Sequence, residues 1–307
     1  MLTKFFGTAK PIAVIAVLTY MIIGFFYSNK SVFMAPFSWV ELLKVFGMLL
    51  LFILAMFVLS FVAQKNDLTK RNSYRILLFG AFGLALPEAL RDGSILIGGA
   101  LVLIALRRVI SLRSELHMER KILDATFWIL LASLAVFYSW VYVIAIYLTL
   151  LIYRSNKLHM LFIPIVAICS FCTVGYAILL YYYGAPQDVI VDLPAISFDF
   201  KAYNNLQILI AIAFLIGTLL WTIWSYLREQ SRASSVLKGR YAVVLTILFI
   251  SFAFIMMINN KTGAEWYFIL PPIVIIVSNY LENTSSLLFK ESLLWLIIIL
   301  PIIIHLV

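Results

Sequence analysis

The side chains of this sequence that could do chemistry are few, and they sit at the ends of apolar runs. Glu88 follows Pro87 at the end of a short apolar segment, with Arg91 and Asp92 three and four residues on. A carboxylate held near hydrocarbon is costly unless paired. That makes Glu88 a candidate base, and equally a partner for Arg91 at i, i+3 on a continued helix. Glu41 stands at the head of the second long apolar run. Lys261 and Glu265 precede a later one, beside Trp266, a residue type that anchors segments at a membrane interface. Asp188, Asp192 and Asp199 alternate with Val, Ile and Phe at a spacing that matches no EF-hand-like cation loop, so they read as solvated. Cys169 and Cys172 form a C-x-x-C inside an apolar run with no ligand partners nearby, which reads as small packing residues. No Walker A sequence, G-x-G-x-x-G, H-E-x-x-H, G-x-S-x-G or histidine cluster occurs. No metal or cofactor is expected from these residues, and nucleotide hydrolysis has no machinery here.

The elements that must position these groups are membrane segments. Of 307 residues, 64% are hydrophobic and 12% charged, with a mean hydropathy of +1.06; a soluble domain carries about 25% charged residues. Eleven apolar segments are read at 11–27, 42–64, 76–90, 95–106, 123–140, 141–153, 159–183, 204–227, 241–258, 267–281 and 293–307, forming one all-α membrane domain over 1–307. The first follows Lys4 and Lys10 as a secretion signal would, but no small-x-small cleavage pattern comes after it, so it reads as a retained span. Alternating the loops from a cytoplasmic start puts every one of the 23 basic residues inside except Lys30, Lys44, Arg91, Lys201 and Lys261, while the 14 acidic residues divide evenly. Only Lys and Arg record orientation, so this bias supports both the count and a cytoplasmic N-terminus with an extracytoplasmic C-terminus. The net charge of +9 is then explained by anionic lipid, without nucleic acid.

Two places depart from plain spans. The segments 76–90 and 95–106 are short and separated by Arg91-Asp92-Gly93-Ser94, and 124–153 is long for one span and short for two. A split at Ser139-Trp140 makes paired half-helices, the alternative being one long tilted helix through 124–153; irregular backbone at membrane depth survives only where protein or a watery cavity satisfies it. A recess open to the outer side follows. In 107–121, Val109, Ile110, Leu112 and Leu116 recur among Arg and Glu, predicting an amphipathic helix on the inner surface. Pro164, Pro271, Pro272 and Pro301 fall within spans and predict kinks.

The stretches RRVISLRS (107–114), KILDATFWILLASLAVFYSW (121–140) and EWYFILPPIVIIVSNYLE (265–282) resemble a polytopic inner-membrane family of Bacteroidota. More distantly, EALRDGSILIGGALVLIALRR (88–108) is similar to the third and fourth spans of the GT-C glycosyltransferases, which use polyprenyl-phosphate sugars, and ASLAVFYSWVYVIAIYLTLLIYR (132–154) resembles their paired short helices. That superfamily usually keeps a catalytic carboxylate in a sizeable first outer loop; here the corresponding loop is short and offers Glu41. The resemblance implies a GT-C-like bundle with an outward recess for a lipid-linked ligand such as a polyprenyl phosphate, acting in cell-envelope biogenesis. In an enzyme of that kind Glu41 or Glu88 would be the base for an acceptor hydroxyl. Arg91 or Lys261 would hold phosphate, with Asp92 and Glu265 beside them. The rival expectation is a non-catalytic subunit or scaffold whose recess holds a lipid or a partner helix. Intramembrane charge is sparse for a small-solute transporter.

Overall fold

The structure is a computed structural model describing residues 1–306 apart from 35, 37, 115, 154–157, 185–194 and 285. The described residues form α-helices joined by turns and short 3-10 segments: α1 (Leu2–Phe6), α2 (Pro11–Ser28), α3 (Lys30–Met34), α4 (Trp39–Lys65), α5 (Tyr74–Leu84), α6 (Pro87–Arg91), α7 (Gly93–Ile110), α8 (Met118–Ala135), α9 (Val143–Ile152), α10 (His159–Tyr183), α11 (Leu206–Arg232), α12 (Ser235–Met257), α13 (Leu270–Asn283) and α14 (Leu287–Leu306). Eight helical stretches are long and apolar enough to cross a membrane. Each of the other three apolar segments read from the sequence also lies on helix, in α5 with α6, in α8 and in α9. The protein is of the polytopic membrane type.

Proline and capping residues explain the interruptions. Leu86 precedes Pro87 and leaves helical geometry, as a pre-proline residue tends to, so α5 stops and α6 restarts with Pro87 in its first turn. Asp92 then caps α7, its carboxylate accepting from the amides of Ser94 at 2.8 Å and Ile95 at 3.3 Å. The 124–153 run is broken: α8 ends at Ala135, Val136 is extended, and a 3-10 turn over Phe137–Tyr142 leads into α9. Pro271 and Pro272 do not kink a span. They occupy the first turn of α13, where a missing N–H has no cost, and a 3-10 turn over Ala264–Ile269 precedes them.

The amphipathic surface helix expected over 107–121 does not form. Residues Arg107 to Ile110 complete α7, a 3-10 turn covers Ser111–Ser114, and His117 turns the chain at φ 50° into α8. Val109, Ile110 and Leu112 are buried in the α7–α8 hairpin, so their apolarity serves packing within the protein; Leu116 alone of the four is exposed.

At the centre lies α5, with all 11 of its residues buried. Eleven residues of helix rise about 16 Å, half of a hydrocarbon core of about 30 Å, and the five residues of α6 follow after the break at Leu86. Around α5 pack α2, α4, α13 and α14. The span formed by the 3-10 turn and α13 is 94% buried, whereas α10, packed on α8, is 6% buried. Cys169 and Cys172 lie on α10 and are exposed, not packed in a core.

Polar contacts gather the loops into two ends. At one, the amides of Leu2 and Thr3 donate to Glu291 at 2.6 and 3.1 Å, Lys70 N donates to Glu282 at 2.9 Å, and Arg240 pairs with Asp67 at 3.3 Å. At the other, Arg91 donates to Ser28 O at 2.8 Å, Ser28 Oγ meets His305 Nε2 at 2.6 Å, and Gln207 donates to Ile304 O at 2.8 Å. The first end holds residues assigned to the cytoplasm, and the second holds those assigned outside.

Candidate functional site

The second end carries an open cleft of about 860 Å³ between α4, α6 and the start of α7. Its polar lining is Lys44, Glu88, Arg91, Asp92, Ser94 and Thr262; Met48, Leu51 and Ile97 make the apolar wall. The break between α5 and α6 creates it, because the redirected chain carries Glu88 and Arg91 to the rim instead of through the core.

Within the cleft, Arg91 Nη1 donates to Glu88 Oε1 at 2.8 Å while its Nε donates to Ser28 O. The pair is 43% and 36% exposed, so water screens it and its contribution to stability is small. The guanidinium is held by two partners with donors to spare for an anion. Lys44 is exposed and, among the described residues, makes no hydrogen bond or ion pair. It is the unengaged cation of the cleft. Glu41 lies one turn earlier on α4, exposed and likewise without a partner among the described residues, but it does not line the cleft.

Lys261 and Glu265 do not reach the cleft either. Lys261 is 5% exposed, and its ammonium donates to Ser197 O at 2.6 Å, Ile258 O at 2.7 Å and Met256 O at 3.1 Å, over the Phe200 ring. Burial pushes its pKa below the usual lysine value, opposed by Glu265 and Asp199. The ammonium neutralises carbonyls at the C-terminus of α12, where a cation is favoured. Glu265 is 0% exposed; it accepts from the amides of Thr262 and Gly263, both at 3.2 Å, and also from Tyr203 OH. Trp266 Nε1 donates to the Tyr203 oxygen at 3.2 Å, and burial together with Glu265 pushes the Tyr203 phenol up. Every donor slot of Lys261 is filled, so its geometry is that of a clamp. Gly263 sits at φ 88°, which closes this turn.

Asp199 accepts from Lys201 N at 2.9 Å outside the cleft, and Asp188 and Asp192 lie outside the described residues. The cleft therefore joins Glu88, Arg91 and Asp92 and leaves out Glu41, Lys261 and Glu265. Sequence reasoning missed Lys44, Ser94 and Thr262 as lining residues. Lys44 carried a usable signal, being a charge within the first turns of an apolar run, the same argument that singles out Glu88.

Fold and cleft together define a polytopic membrane-type helical protein with a polar-rimmed cleft at one end. Residues 4–306 match the family of unknown function DUF6427, and the chain belongs to that family. No curated protein matches it, and no solved structure does.

Proposed function

We propose that the chain is an inner-membrane protein of eleven crossings with a cytoplasmic N-terminus, GT-C-like in architecture, whose cleft receives a lipid-linked ligand during cell-envelope biogenesis. The observation that carries this is the make-up of the cleft, where cations stand directly above an apolar wall. An amphipathic ligand with an anionic head needs both. Lys44 and the free donors of Arg91 take the phosphate, and Met48, Leu51 and Ile97 face its chain. Should a reaction occur there, Glu88 is the carboxylate placed to accept a proton, on leaving Arg91. Glu41 could serve only a ligand long enough to extend along α4.

Native mass spectrometry of the purified full chain with polyprenyl phosphate tests this reading. A one-to-one adduct is expected, weakened on the order of tenfold by Lys44→Gln, since a charged hydrogen bond contributes about 1.5–3 kcal/mol. Lys44 has no hydrogen-bond or ion-pair partner among the described residues, so its replacement should leave the fold intact; Arg91→Ala weakens binding too, with an added loss of stability. No adduct, or one indifferent to Lys44→Gln, overturns the proposal.

A second reading, a non-catalytic subunit or scaffold, is favoured by one observation. Glu88, Arg91 and Asp92 each already hold a structural contact. A stoichiometric protein partner that co-purifies while the cleft stays empty would select it.

A further inference from the structure

The opposite end of the bundle holds a second polar pocket, of about 350 Å³, where the end of α4, the end of α7 and the turn into α8 meet. Five cations line it: Lys65, Arg107, Arg108, Arg113 and Lys121. Two are engaged. Arg108 pairs with Asp124 at 2.9 Å, and Lys121 donates to Ser111 O at 2.8 Å and to Ser114 Oγ. The other three have no carboxylate or hydrogen-bond acceptor among the described residues. Lys65 and Arg107 lie instead over one ring, Phe61, at 5.4 and 5.1 Å. Among the described residues the one carboxylate lining the pocket, Asp67, is committed to Arg240.

This concentration of charge is opposed within the protein. Arg108 and Lys65 repel Lys121, and Arg113 repels the nearly buried Arg240. The C-terminal carbonyls of α4 and α7 account for part of it, as cations are favoured at helix ends. They do not account for three cations held together without acceptors, one of them beyond the end of α7. Their common face is anion-binding: guanidinium groups that can grip phosphate oxygens in pairs, with ammonium groups alongside.

What lies below the cations narrows the ligand. Leu54, Phe57 and Phe61 are exposed and recur at helical spacing on α4, so an apolar stripe runs from Phe61 toward mid-helix. A phosphate gripped at Lys65, Arg107 and Arg113 would have its acyl chains lying along that stripe. We propose that this pocket is a binding site for the phosphate of an anionic phospholipid headgroup, independent of the cleft at the other end.

The test uses the full-length chain in neutral detergent, with native mass spectrometry against phosphatidylglycerol, phosphatidylcholine of matched chains, and soluble glycerol phosphate. Phosphatidylglycerol is expected to bind in preference to phosphatidylcholine. Replacing together the three cations that have no acceptor (Lys65→Gln, Arg107→Gln, Arg113→Gln) should lower its affinity on the order of a hundredfold, about fivefold per cation. These side chains hold no hydrogen bond among the described residues, and the variant gives up only the two contacts to the exposed Phe61 ring, so it should stay folded with a small loss of melting temperature. Raised salt on the unaltered chain gives a second measure, and should release phosphatidylglycerol selectively. Equal retention of phosphatidylcholine, or affinity unmoved by both the triple variant and salt, overturns the site. Glycerol phosphate binding as tightly as the lipid overturns its assignment to a headgroup.

Discussion

Two glutamates that look alike in sequence have opposite roles in the structure. Glu265 is wholly enclosed and gathers three donors, whereas Glu41 is exposed and gathers none among the described residues. Glu265→Ala should therefore cost about 2 kcal/mol or more, because buried donors are left without an acceptor. Glu41→Ala should stay within about 0.5 kcal/mol. Equilibrium unfolding in mixed detergent distinguishes them, and equal effects would refute the burial argument. Sequence could place both at the heads of apolar runs but could not separate them. The difference is made by Tyr203, which stands 62 positions from Glu265 and is brought over it by the packing of other helices. The same holds for Lys261, whose acceptors include Ser197, 64 positions away.

Helices in lipid gain little from burying apolar surface against each other, so close approach carries the packing. Gly83 of α5 meets the Phe52 ring of α4 so closely that a Cβ added there would lie 2.4 Å from it. By contrast, nothing lies within 4 Å of such an atom at Gly175 on α10. Gly83→Val should destabilise by about 1–3 kcal/mol through overpacking, with a smaller monodisperse fraction in size-exclusion chromatography. Gly175→Val should leave both stability and profile unchanged. The positions of the helices were legible in the apolar runs, and the α8–α9 break was visible in a run of awkward length. Which helix occupies the centre was not: α5 is shorter than its neighbours and has no more apolar a sequence than α2 or α4. The 107–121 misreading has a related cause. Alternating Arg and apolar residues fit a helix on a lipid surface and equally a hairpin whose apolar residues turn inward, and only the packing of α7 on α8 decides.

At the scale of the molecule, the polar contacts of the described loops gather at two ends, and the distribution of Lys and Arg proposes which of them is cytoplasmic. Which end faces the cytoplasm is open to a direct experiment. In a Cys169→Ser, Cys172→Ser background, Lys30→Cys should react with a membrane-impermeant maleimide in spheroplasts, and Lys10→Cys only after lysis. The reverse pattern inverts the proposed orientation, and labelling of both in spheroplasts contradicts the separation into two ends. The cleft was less legible than the topology. Its rim residues Glu88, Arg91 and Asp92 are consecutive enough to stand out, but Lys44 and Thr262 join them only through the approach of α4 and the turn before α13.

The contacts that α14 makes with α1 and α2 carry a consequence for how the protein is made. Glu291 accepts from Thr3 across 288 positions, Tyr20 donates to Ile298 O, and Ser28 meets His305. During synthesis the Tyr20 hydroxyl enters the bilayer without its acceptor and stays so until α14 has left the ribosome, whereas Ser28 already donates to Gly24 O within α2. Such late closure is slow to form and is lost whenever translation stops early. A chain that ends before α14 would present the Tyr20 hydroxyl to lipid without an acceptor, a mark by which unfinished copies could be told from complete ones.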